Sequence, residues 1–151
     1  MKHYWPILFL RLMMAIVFFY FGYLALVHPV GQLAYISPRL LAMSPLPGQT
    51  LIFIIGLLEV AVGTAFTLGV WLDVAGFGAA ALLLGIIISL ADSTGYLNEL
   101  GIRDQGLLAA CLVIATADHR LALSPSVRRI KIVRLAVYVV ILLVVLAWML
   151  R

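Results

Sequence analysis

The stretch TLIFIIGLLEVAVGTAFTLGVW, residues 50–71, constrains this chain most. It holds a single charge, Glu59, and about 20 apolar residues in a helix suffice to cross a hydrocarbon core. Glu59 then lies near mid-depth, where an ionisable group costs roughly 3 kcal/mol on insertion scales. Such a side chain is expected to face protein or water and to have a partner. Gly56, Glu59, Gly63 and Thr67 share one stripe of the helix. Small residues on that stripe let a second helix approach closely, so it reads as a contact face.

Composition extends this reading to the whole chain. With 66% hydrophobic and 11% charged residues and a mean hydropathy of +1.21, it lies far from soluble domains, which are about 25% charged. A polytopic membrane protein follows, and 151 residues leave room for one compact bundle. The net charge of +4 fits membrane orientation and carries no nucleic-acid signal. The single cysteine, Cys111, has no second thiol for a disulfide, for redox exchange or for a thiolate metal site, and reads as a small packing residue.

Five spans are expected, at about 7–27, 50–71, 74–91, 102–117 and 130–150. The lead MKHYW places Trp5 at an interface. Arg11 interrupts the first apolar run and no small-residue cleavage site follows, so this run reads as a retained helix. Arg11, Ala15, Phe18, Gly22 and Ala25 share a stripe expected to pack inward. Residues 28–49 carry Pro29, Gly31, Pro38, Pro45, Pro47 and Gly48, which break any span. Within them Ser37 before Pro38 is a good helix start and predicts a short interfacial helix over 38–43. Gly69 to Asp73 reads as a tight turn with Asp73 capping the third helix, whose packing face is Gly78, Ala81, Gly85 and Ser89. Residues 92–104, DSTGYLNELGIRD, read as a polar solvated loop, since the acids lack the alternation of a calcium loop. The last span is Val-rich, with Arg134 and Tyr138 one turn apart, and suits a peripheral helix that meets lipid or another subunit.

An odd number of spans separates the two ends. Lys2, Arg120, Arg128, Arg129 and Lys131, with Arg11 and Arg134 close by, outnumber Arg39, Arg103 and Arg151 on the other side. The positive-inside rule therefore puts the N-terminus in the cytoplasm and the C-terminus outside it. On that topology Arg11 enters about 6–8 Å from one boundary and Glu59 about 14 Å from the other, leaving a gap under about 10 Å. A buried Arg11–Glu59 ion pair is the expected consequence, acting as a clamp or serving proton handling or a polar pocket. Arg134 is the rival partner, although so near its helix end it is able to snorkel.

The first span with Arg11 and Gly22, the loop ending LPGQT, the stretch LLEVAVGTAFTLGV and the later RDQGLLAACLVIATADHRLALS together resemble the DoxX-like membrane proteins. The resemblance runs from about residue 11 to 124 and implies an all-α, four-helix bundle in a bacterial or archaeal cytoplasmic membrane, with a fifth peripheral span added here. Family members of this kind have both ends in the cytoplasm, so the added span moves the C-terminus. Some are subunits of quinone-linked sulfur oxidation, and others are partners in oxidative-stress or electron-transfer complexes. What the resemblance implies is association with redox chemistry.

The residues themselves offer few redox ligands. His3, His28 and His119 all fall at expected span ends, whereas a haem between helices needs histidines at mid-depth. No His or Cys pair or carboxylate cluster reads as a metal site, and GFGAAALLLG lies within an apolar span rather than between strand and helix. Catalysis by this chain alone would rest on Glu59, Arg11 and one of Tyr20, Tyr23 or Asp104. The leading expectation is a non-catalytic accessory subunit, set in the lipid bilayer and touching other membrane subunits through the fifth helix. A quinone-linked oxidoreductase subunit using Glu59 in proton transfer, with a bound quinone, is the alternative. A small transporter stands third, opposed by the lack of an internal repeat.

Overall fold

A computed structural model of the chain describes residues 4–94 and 99–117. Its elements are helices α1 (Tyr4–Val27), α2 (Pro29–Gln32), a 3-10 turn (Leu33–Tyr35), α3 (Pro38–Met43), α4 (Gly48–Leu68), α5 (Leu72–Thr94) and α6 (Glu99–Thr116). Within α1, α4 and α5, the segments Trp5–Val27, Gly48–Leu68 and Leu72–Ser93 are long and apolar enough to cross a membrane. The described residues therefore form an all-α membrane helix bundle. The expected fifth span, with Arg134 and Tyr138, lies outside the described residues.

Local chemistry sets the helix ends. At the end of α4, Gly69 adopts φ 73°, a left-handed conformation that glycine reaches without Cβ strain. The amides of Gly69 and Val70 both donate to Ala65 O, at 2.9 and 3.2 Å. Ser37 caps α3, its Oγ accepting from Leu40 N–H at 3.1 Å, and Pro38 takes the first helical position as expected. Two boundaries differ from the sequence reading. Asp73 lies inside the first turn of α5 rather than ahead of it, where its charge still favours the helix N-terminus. The polar segment 92–104 is mostly helix, with α5 running to Thr94 and α6 starting at Glu99. Helix is the form that satisfies backbone groups within the segment itself near a bilayer.

Helices α1 and α4 run antiparallel in close contact. A Cβ on Gly22 would meet Val60 Cγ2 at 2.9 Å and Gly56 O at 3.0 Å, and one on Gly56 would meet Ala25 Cβ at 2.9 Å. Gly63 lies against the Phe19 ring, at 3.1 Å on the same measure. Phe18 and Phe66 meet edge to face, with centroids 5.9 Å apart, a geometry that adds about 1 kcal/mol to area burial.

Helices α5 and α6 pair through a different glycine from those expected. Gly78 and Gly85 face open space, with nothing within 4 Å of an added Cβ. Gly76 instead makes the crossing, where a Cβ would meet Ala115 Cβ at 2.7 Å, Cys111 O at 2.8 Å and Ala115 N at 2.9 Å. The reason is that AGFGAAALLLG carries small residues on every face. The face that turns inward is instead marked by buried Leu72, Ala75, Ala79 and Leu83.

The described body has two unlike halves. One is an apolar core that includes Met14, Ala15, Phe18, Val62, Phe66, Ala79, Cys111 and Ile114. The other lies beneath the segment of α2 and α3, which is tied down by Ser37 N–H donating to the buried Ser89 Oγ. Ser89→Ala removes the partner of that buried amide, and is expected to destabilise by about 1–3 kcal/mol. A thermal unfolding scan of the purified variant checks it, and an unchanged midpoint would show that the tie contributes nothing.

Candidate functional site

Arg11 and Glu59 do not meet. The Arg11 guanidinium turns to the end of α4, where Nε and one terminal nitrogen donate to Phe66 O at 3.1 and 2.9 Å. Phe66 O is among the last four carbonyls of α4, and among the described residues no amide beyond the helix end donates to it. Arg11 therefore supplies both the missing donor and a positive charge at the negative end of the helix dipole. The antiparallel register explains why the expected pair fails. Glu59 sits across from Gly22, its Cβ 3.2 Å from where a Gly22 Cβ would lie, and Gly22 is 11 residues along α1 from Arg11, about 16 Å at about 1.5 Å per residue.

Glu59 lies in the half beneath α2 and α3 and is 6% exposed. It lines a cavity of about 70 Å³ together with Gln32, Tyr35, Arg103 and Asp104. Phe18, Phe21, Ile52, Ile55, Leu83 and Leu107 are among its apolar walls. On the α6 side Arg103 pairs with Asp104, Nε and a terminal nitrogen lying 2.9 and 2.8 Å from the same Oδ1. Asp104 is buried, while the Arg103 side chain is 47% exposed and lies over the Phe21 ring at 5.4 Å, a cation–π contact. Among the described residues no hydrogen bond or ion pair engages the Glu59 carboxyl. Among the described residues no fully enclosed side-chain polar atom lacks a partner, so the Glu59 oxygens border the cavity space.

The other named residues lie elsewhere. Tyr20 and Tyr23 are 59% and 57% exposed and face away from the cavity. His28 is exposed beyond the end of α1, and His3 and His119 lie outside the described residues. No group of three or more His, Cys, Asp and Glu among the described residues is placed to hold a metal. Gln32, Tyr35 and Arg103 were not singled out by sequence reasoning. The usable signal was the run RDQG, which places a charged pair on the opening turns of α6 once the segment is read as helix.

No curated protein and no solved structure matches the chain. The family model DoxX matches residues 7–92, more than half of the 151. That match spans α1 to α5, and takes in Arg11, both crossing glycines of α1 and α4, and Glu59. On this match the chain belongs to the DoxX family, whose members are small membrane proteins.

Proposed function

We propose that the chain is a non-catalytic accessory subunit that anchors or stabilises a larger complex in a bacterial or archaeal cytoplasmic membrane, with its N-terminus in the cytoplasm. The complex is respiratory or otherwise electron-transferring, which rests on what relatives do. The observation that supports an accessory role is the size of the polar cavity. At about 70 Å³ it is under half the roughly 150 Å³ that admits a benzene ring, which makes it a tight fit for a quinone ring beside Glu59 and supports the accessory reading. The two arginines of the spans and of α6 are engaged in holding the fold, Arg11 on Phe66 O about 16 Å away along the bundle and Arg103 on Asp104 beside the cavity.

Deleting the chain tests this reading. Membranes without it are expected to hold less of the assembled complex, with turnover per intact complex unchanged. Normal assembly with lost turnover would favour the second reading, a quinone-linked subunit using Glu59 in proton transfer. What favours that second reading is the convergence of Glu59, Tyr35 and the Arg103–Asp104 pair on one cavity.

A further inference from the structure

We propose that the Glu59 cavity binds a small monovalent cation, of the size of sodium or ammonium. Four observations carry it, beginning with a carboxyl side chain more than nine-tenths buried that borders a cavity without an ion pair among the described residues. Second, the nearby cation is already engaged, because Arg103 lies on Asp104 at 2.8 Å. Their charges cancel, and ionised Glu59 leaves the lining one negative charge in excess. Third, the remaining polar lining residues, Gln32 and Tyr35, bring oxygen atoms of the kind hard cations take. Fourth, about 70 Å³ accommodates an ion with about one water, each water taking about 30 Å³.

Charge and size exclude the competing ligand classes. An anion meets Glu59 with no free positive group among the residues described as lining the cavity, since Arg11 lies about 16 Å away along the bundle. A calcium-like ion takes 6–8 oxygen ligands, usually several of them carboxylates, and only one carboxylate is uncommitted here. An aromatic ring needs about twice the volume. The apolar walls raise the attraction between the carboxylate and a cation over its value in water. Of the polar lining residues Arg103 is half-exposed, which gives an ion a route to the cavity past the α6 side. This inference does not depend on which complex the chain joins.

The test uses the full chain in lipid nanodiscs at constant ionic strength, with choline replaced by sodium or by ammonium. One of the two ions is expected to raise the thermal unfolding midpoint of the wild type. Glu59→Gln is expected to lose that rise, and Arg39→Gln, on the exposed Arg39–Asp92 pair, to keep it. Equal midpoints in all three salts would overturn the proposal, as would a rise that persists in Glu59→Gln. Should Glu59→Gln not fold, labelling of wild-type Glu59 by dicyclohexylcarbodiimide, mapped by mass spectrometry, decides. Protection by the stabilising ion is expected to slow labelling about tenfold once the ion exceeds its Kd by about that factor, and any lesser difference than twofold, by about the same relation, overturns the site.

Discussion

Gly76→Val is expected to cost about 3 kcal/mol or more, the upper end for overpacking. The added Cβ alone would stand 2.8 Å from Cys111 O and 2.9 Å from Ala115 N. Those obstacles are backbone atoms of α6, which cannot swing aside as a side chain tip does. Helices α5 and α6 must part, and with them the wall that carries Arg103 and Asp104. Gly78→Val is the matched control, two residues away on open space, and is expected to stay within about 0.5 kcal/mol. Unfolding midpoints of the two variants in one detergent compare them directly. Equal midpoints would mean that the crossing is not where the close contacts place it.

Arg11→Met is the second large effect expected. It leaves Phe66 O without its donor, a loss of about 1–3 kcal/mol for a buried group, and removes the charge that favours the helix end. A total near 2–3 kcal/mol corresponds to a midpoint lower by about 5–10 °C for a chain of this size. Arg11→Lys is expected to recover part of it, since the cation stays while the planar fork is lost. Gly69 belongs to the same arrangement. A Cβ there would collide with the Arg11 guanidinium, so the turn needs glycine for room as well as for φ. A double-mutant cycle between Arg11→Met and Glu59→Gln is expected to show coupling within about 0.5 kcal/mol, as for groups more than about 10 Å apart. Coupling well above that would restore the direct pair.

Much of this architecture was present in the sequence as spacing. The spans of α1 and α4, the Ser37–Pro38 start of α3, and the inward stripe of Ala15, Phe18, Gly22 and Ala25 follow from hydropathy, capping chemistry and helical period. The Arg11–Glu59 pairing did not follow, because two depths counted from opposite membrane boundaries carry no information on register. Register is set by the Gly22–Gly56 approach, and it places Glu59 a further three turns away. The packing face of α5 was hidden for a different reason. Where alanine and glycine surround a helix, periodicity does not choose among faces, and only the partner does. On the α6 side of the cavity Asp104 was a sequence candidate beside Glu59, whereas Arg103 entered only as a surface charge in the topology count, because a start of α6 near 102 gives no reason to fold its side chain back onto Asp104.

A polar cavity of about 70 Å³, in a bundle braced by its own polar groups, leads to one direct test of the accessory role. The measurement is a mild-detergent purification from native membranes, with mass spectrometry of the co-purifying proteins and of the small molecules retained. The expected result is recovery with haem- or flavin-bearing subunits, and no quinone on the chain once it is separated from them. A lone bundle carrying stoichiometric quinone would contradict the account and move Glu59 into an active site.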